Sequence, residues 1–259
     1  MTVTLDISGG LATITLARPA AHNALDAGMK TAFLDAVGKA AASPEIRAVL
    51  LTAEGKNFCV GQDLGDHVAA LDADPATAME TVAEHYNPLI RALAALRVPV
   101  VVAIPGACVG AGWGIALAGD IRVAGERTSF ATAFSGIGLA SDSGLSHSLV
   151  QNLGASRAGA LLLLGDKVTA AQALEWGLVH RVVADDDVRA AALDIAQRLA
   201  SGPTAAYGEV KSLVGASAAG LDAALDRERD AQVALGQTAD HKAAVAAFLA
   251  KEKPVFTGR

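Results

Sequence analysis

Apolar and polar residues alternate from Thr2 to Ile7 and from Ala12 to Leu16, on either side of Ser8-Gly9-Gly10, which predicts a β-hairpin. The period then lengthens. Met29, Phe33, Leu34 and Val37 fall at helical spacing, so Asp26 to Ala42 reads as a helix with Asp26 as its cap. Arg47 to Thr52 is a short apolar strand, and Ala53 to Asp66 a polar, glycine-bearing loop. A long helix is expected over Pro75 to Leu96, followed by the β-branched strand that starts at Val98. Pro105 to Gly114 is rich in glycine, and a helix of small residues is expected over Ile115 to Gly119. Ile121 to Ala124 and Thr128 to Phe130 read as two more strands. Helices follow over Ser143 to Leu153, Ala155 to Leu164 and Thr169 to Trp176, the last ended by Gly177. Val179 to Val183 is a short strand, and three or four alanine-rich helices fill Asp186 to Lys253. Strands alternating with helices, then helix alone, predict an α/β architecture.

Composition narrows the partners. With 259 residues, 52% hydrophobic and 19% charged, the chain can bury a substantial core as one large domain or as a core with an appendage. No apolar run has the length and flanks of a membrane span, and Met1 to Asp6 lacks a signal-peptide pattern. A net charge of −6 without a basic, aromatic-interleaved stripe argues against nucleic acid. Two cysteines, Cys59 and Cys108, suit a reducing compartment and have no metal-site spacing. A soluble cytoplasmic protein without membrane or nucleic-acid partners is the expectation.

Two glycine-bearing loops carry the candidate chemistry: Asn57 to Asp63, and Val109-Gly110-Ala111-Gly112. Each follows a core strand. If neighbouring strands bring both to one edge, a backbone N–H from each could converge on one oxygen. Losing one donor of such an oxyanion hole typically costs roughly 3–4 kcal/mol of transition-state stabilisation. The plainer reading is that these glycines merely permit tight turns. A dinucleotide fingerprint fails, because its third glycine would fall on Ile115 or Leu117. Neither a phosphate-binding G-x-x-x-x-G-K motif nor a G-x-S-x-G elbow is present, and Ser143 with His147 reads as a capping or solvated pair.

Taken in order, several segments resemble the crotonase (enoyl-CoA hydratase/isomerase) family along nearly the whole chain. They are Arg18-Pro19 with Asn23-Ala24-Leu25, Gly55 to Leu64, the glycine loop, Asp120 to Ala124, Phe130 to Gly144 and Ala173 to Val179. The resemblance implies a spiral of β-β-α units over residues 1–198 holding the coenzyme A and acyl site. It also implies a helical region over 199–259 that assembles the chain into homotrimers or homohexamers. The substrate would be an acyl-CoA thioester, with coenzyme A part of the substrate and no separate cofactor or metal. By motif position, the oxyanion donors would be the N–H groups of Val60 and Ala111. Gly61, Gln62, Asp63 and Leu64 would line the adenine pocket, largely through backbone atoms. Gly110, Gly112 and Phe134 would also contact substrate, and Trp113 either walls the acyl pocket or belongs to the core.

The departures from the family pattern point to the reaction. Hydratases of this family use two glutamates, and Gly114 and Phe134 stand at those positions. Hydration needs one group to activate water and another to supply the α-proton, so an ordinary hydratase is disfavoured. One carboxylate remains. Gly138 to Gly144 resembles the G-L-x-P-D-x-G segment of the ring-epoxide isomerases of phenylacetate breakdown and related enoyl-CoA isomerases, with Ser141 in place of proline. Asp142 then stands as the single acid/base of an isomerase that shifts a C=C bond or rearranges a ring epoxide through a thioester enolate. The plain alternative is that Asp142 caps a helix. The tail from Leu225 to Asp230, Phe248-Leu249 and Lys253 to Arg259 also resembles that subgroup. Arg18 and Lys56 are either near the coenzyme A phosphates or on the surface. Asp120 reads as a strand anchor and Cys59 as packing, while His67, His85, His180 and His241 have no evident partner. A fatty-acid hydratase and a non-catalytic acyl-CoA binder remain the alternatives.

Overall fold

The computed structural model of the chain describes residues 1–215, 234–235 and 238–259. β1 (Val3–Ser8) and β2 (Leu11–Leu16) form the expected hairpin, antiparallel with Val3 opposite Leu16. β3 (Ala48–Ala53), β4 (Val100–Ile104), β6 (Ile121–Gly125) and β9 (Arg181–Val183) extend it in parallel, in the order β1-β2-β3-β4-β6-β9. A smaller sheet holds β5 (Ala107–Val109), β7 (Ser129–Ala131) and β8 (Val168–Thr169), and Cys59 bridges in parallel to Cys108 at its edge. A repeating step emerges. β3 leads to Cys59, β4 to β5 and β6 to β7, so successive strands of the large sheet each hand the chain to the small one. This is the spiral of β-β-α units.

Side chains of one strand point alternately to opposite faces, which gives the large sheet two cores. Leu50, Val101, Ala103 and Val123 cluster with Val188, Ala192, Ile195 and Ala196 of α7 (Val188–Ala200). The intervening Val49, Leu51, Val102 and Ile104 cluster with Met29, Phe33 and Val37 of α1 (Ala27–Ala42) and with Leu89 and Leu93 of α3 (Asn87–Ala95). Asp26 caps α1 as expected, its carboxylate accepting from Met29 N at 2.7 Å.

Several boundaries differ from the sequence reading. The glycine-rich stretch contains β5, and α4 (Ala111–Leu117) begins earlier than Ile115. The loop after β3 gives way to α2 (Leu64–Ala73). The long helix expected over 75–96 is interrupted: a π-helical turn spans Val82–Tyr86, closed by Asn87 N–H on Val82 O, before α3. The break expected after Leu153 is present inside α5 (Leu145–Leu164), where Gly154 adopts φ 74° and ψ 162°, a conformation essentially confined to glycine. α6 (Ala170–Glu175) is followed by Gly177 at positive φ. The 198/199 boundary falls inside α7, whose Ala200 is still buried against the sheet.

α8 (Thr204–Gly215) and a C-terminal helix (Ala239–Ala250) are two further helices of the expected tail, whereas Leu225 to Asp230 lies outside the described residues. The chain's end is pinned. Asp240 is 3% exposed and accepts from the N–H groups of Thr257 and Gly258, while Arg47 donates to Gly202 O and Phe256 O. Among the described residues, no helix is long and apolar enough to cross a membrane.

Candidate active site

The two glycine loops leave the small sheet side by side. Val109 N donates to Cys59 O at 2.9 Å, so the segments ending in Val60 and in Gly110 run in register. Glycine is required where they touch. A Cβ on Gly112 would overlap Cys59 O, and one on Gly61, at φ +90°, would stand 3.2 Å from Val109 O and 3.4 Å from Ala111 N. The Val60 loop is braced from the other side. Leu25 N donates to Gly61 O at 2.8 Å and Asp63 N to Leu25 O at 3.1 Å. Asn23, fully buried, accepts from Arg18 N and donates to Glu54 O and Asn57 O. These contacts explain why the Arg18 to Leu25 segment accompanies the loop: it is a clamp.

Neither Val60 N nor Ala111 N has an acceptor among the described residues. Ala111 opens α4, where the first N–H groups have no partner inside the helix. Ala111 is buried and Val60 half-buried, so both unspent donors stand open to an acceptor on adjacent loops.

Both loops border a cleft of about 140 Å³. Of the residues singled out in the sequence, Val60, Gly61, Gln62, Leu64, Gly110, Ala111, Phe134 and Asp142 line it. Three do not. Trp113 is 1% exposed and packs on Phe130 at 5.4 Å between ring centroids, so it belongs to the core. Gly112 is spent on the close approach to Cys59. Asp63 caps α2 through Gly65 N and Asp66 N and pairs with Arg18 at 2.6 Å, so its carboxylate is engaged within the loop. Arg18 also pairs with Asp26 at 3.1 Å. Its charge is shared between the two carboxylates that hold the loop.

Asp142 is not a helix cap. Gly144 occupies the N-cap position of α5, and the Asp142 carboxylate instead accepts from Ser143 Oγ at 2.8 Å. Ser143 and Gly144 both have positive φ, 52° and 67°, a left-handed turn that directs Asp142 toward the cleft. Burial pushes this carboxyl up from its ordinary range, opposed by the Ser143 hydrogen bond and the charge of Lys30. It is the one carboxylate among the residues lining the cleft. Ala133 also lines the cleft and adopts positive φ, at 58°.

The two positions where the resemblance places glutamates in hydratases are closed to such a role. A Cβ on Gly114 would stand 2.5 Å from Ser143 O. Phe134 lays its ring near Gly110, with Cζ 3.7 Å from where a Cβ there would be.

The sequence reading missed a polar group on the far wall. Lys30, 4% exposed, donates to Thr81 Oγ1 at 2.6 Å and to Gln62 Oε1 at 3.1 Å, and its Nζ lies 5.3 Å from the centroid of the Tyr86 ring. Tyr86 OH donates to the same Gln62 oxygen at 2.6 Å, and burial pushes its phenol well above the usual range. Thr81 and Tyr86 would point about 140° apart on an α-helix; the π turn brings both toward α1. One signal was present: Lys30 shares a helical stripe with Phe33 and Val37. His67 lines the cleft, His85 Nδ1 lies 3.2 Å from Thr81 Oγ1, and His180 accepts from Arg122 N. Asp120 anchors β4 through Val100 N, and Cys59 is buried, its thiol pushed up to about 12.

The family model described as enoyl-CoA hydratase/isomerase matches residues 6–259. The 1,2-epoxyphenylacetyl-CoA isomerase of Escherichia coli is 39% identical over 255 residues, covering 98% of this chain and 97% of the relative. A probable enoyl-CoA hydratase of Rhodobacter capsulatus is 40% identical over 260 residues, covering 100% of this chain and 98% of the relative. Among solved structures, an enoyl-CoA hydratase/isomerase from Mycobacterium abscessus superposes with a TM-score of 0.98 at 57% identity, covering 99% of this chain and 100% of that one.

Proposed function

Because the chain belongs to the enoyl-CoA hydratase/isomerase family, we propose that it is an acyl-CoA isomerase in which Asp142 alone carries the proton. The thioester oxygen accepts from Val60 N–H and Ala111 N–H. Asp142 takes a proton from the α-carbon, and the C–H electron pair moves into the enolate whose oxygen those amides stabilise. Asp142 then returns the proton to a remote carbon. For a 3-enoyl thioester the proton leaves C2 and arrives at C4, leaving the double bond between C2 and C3. The same base and oxyanion grip would serve the rearrangement of a ring epoxide. Coenzyme A enters and leaves as part of the substrate.

The observation that carries this reading is a single carboxylate in the cleft beside two unspent amide donors, with Gly114 and Phe134 where hydratases place glutamates. Burial of Asp142 brings its pKa nearer neutrality, which suits a group that must both take and return a proton. Assembly as a trimer or pair of trimers through residues 199–259 belongs to the same reading, and the mass in solution tests it.

The deciding experiment is incubation of the purified chain with 3-hexenoyl-CoA, with products resolved by chromatography and mass. An isobaric 2-enoyl product supports the isomerase. A product heavier by one water returns the assignment to the hydratase named in the Rhodobacter relative. With no conversion, 1,2-epoxyphenylacetyl-CoA is the next substrate, and inertness toward both leaves a binding protein.

A further inference from the structure

We propose that Lys30 is the charge partner of Asp142, a positioning residue that stands behind the cleft wall and keeps the acid/base ionised between turnovers. The inference rests on Asp142 acting as the base of the proposed isomerisation.

Lys30 is a buried ammonium whose contacts are all neutral: Thr81 Oγ1, Gln62 Oε1 and the Tyr86 ring. Among the described residues it forms no ion pair at contact distance. Burying an unpaired charge is costly, so such a lysine calls for an explanation beyond packing. Its three partners supply one. Gln62, Thr81 and Tyr86 all line the cleft together with Asp142, so the ammonium stands one side-chain layer from the space where the proton moves. Out of bulk water, an unlike charge at that remove is poorly screened.

Other carboxylates also act on Lys30, Asp66 foremost and Asp26 next, ahead of Asp142. Asp26, the cap of the Lys30 helix, also pairs with Arg18, as does Asp63. Asp66, at the start of α2, is engaged by Ala27 N. His67 of α2 also borders the cleft, and His85 reaches Lys30 only through Thr81. Cys59 and Tyr86 are held neutral by burial. Burial raises Asp142, opposed by the Ser143 hydrogen bond and then by the charge of Lys30; burial lowers Lys30, opposed by Asp66, Asp26 and then Asp142. A base that ionises too weakly wastes enzyme as the protonated form. Lys30 limits that loss without touching the carboxylate, leaving the Asp142 oxygen turned from Ser143 free for the substrate's proton.

The test is the pH dependence of kcat/KM on 3-hexenoyl-CoA for the wild type, Lys30→Met and Lys30→Arg, with Asp142→Asn alongside. The acidic limb of kcat/KM reports the base in the free enzyme. It should move up by about 0.5–1 pH unit in Lys30→Met and stay in place in Lys30→Arg. A uniform loss of rate with the limb unmoved shows a packing role and overturns the inference. If Asp142→Asn turns over normally, the isomerase reading itself has failed, which is a different result. Should Lys30→Met not fold, Lys30→Gln, which retains a polar head for Thr81 and Gln62, reads the same limb.

Discussion

Asp142 sits where burial opposes its charge, and Ser143 Oγ and Lys30 only partly offset that. The folded chain therefore holds this proton more tightly than the unfolded chain, whose carboxyl titrates near an ordinary value of about 3.9. The carboxyl favours the folded state below that value and loses this contribution as pH rises through its raised folded pKa. Asp142→Asn should accordingly raise Tm at pH 8, by about 2–4 °C if the relief is near 1 kcal/mol. The gain should shrink toward pH 4, and turnover should fall by about 10²–10⁴. Scanning calorimetry at the two pH values, with an activity assay, checks both. Gly114 makes a sharper case. Restoring a glutamate there should not create a hydratase, because its Cβ would press on the Ser143 carbonyl. Gly114→Glu should instead lose about 1–3 kcal/mol of stability and displace the turn that carries Asp142. Denaturant unfolding with a crotonyl-CoA hydration assay reads both. At this scale the sequence was legible where a motif spaces its residues closely, as in Gly138 to Gly144. It was silent where partners lie far apart. Nothing in the order of residues says that Lys30, Gln62 and Tyr86 meet, or chooses the core over the pocket wall for Trp113.

Among the elements, α2 most directly governs the Val60 loop, and one residue fastens it. Asp63 accepts from Gly65 N and Asp66 N and pairs with Arg18, and these contacts depress its pKa, the Arg18 hydrogen bond foremost. A depressed carboxylate stabilises the fold above its unfolded pKa and loses that contribution as pH falls through the lower folded value. Asp63→Ala should therefore cost about 0.5–2 kcal/mol at pH 7 and progressively less in acid. It should also lower turnover, because the Leu25–Asp63 pairing that aims Val60 loosens. Urea midpoints at pH 7 and pH 3 distinguish this from a pH-independent packing loss. Long periodic segments such as β1, β2, α1 and the halves of α5 were legible from periodicity and capping. β5 and β8 were not, because three and two residues respectively cannot display a period. The α2 start was half legible: Asp63 reads as a capping or solvated residue, and it does cap, but the glycines around it read as loop.

Across the whole molecule, the two sheets divide the labour. The large one provides a core on both faces, and the small one sets the separation of the two loops at the cleft. The α/β class and the spiral could be inferred from the succession of segments, while the two-sheet arrangement required the pairing of Cys59 with Cys108 and of β5 with β7. The pinned tail ties this frame together from outside. A chain ending at Pro254 would leave the buried Asp240 carboxylate without Thr257 and Gly258, and Arg47 without Phe256 O. An unsatisfied buried acceptor costs about 1–3 kcal/mol. The truncated chain should melt several degrees lower and yet bind acyl-CoA at full occupancy below its transition, as thermal shift and ligand titration would show.

The π turn before α3 has an evolutionary side. A π turn holds one residue more than an α turn, so it can absorb an inserted residue without rotating the turns beyond it. Loss of the exposed Ala83 would place Thr81 and Tyr86 four positions apart, still on one face of an ordinary helix. That deletion should leave folding and the Lys30 contacts intact, whereas removing a residue from the regular turns of α3 would swing the rest by about 100°. A comparison of the two deletions by circular dichroism and activity would show this directly. Descendants of this chain could gain or shed a codon in that turn with the far wall of the cleft unchanged.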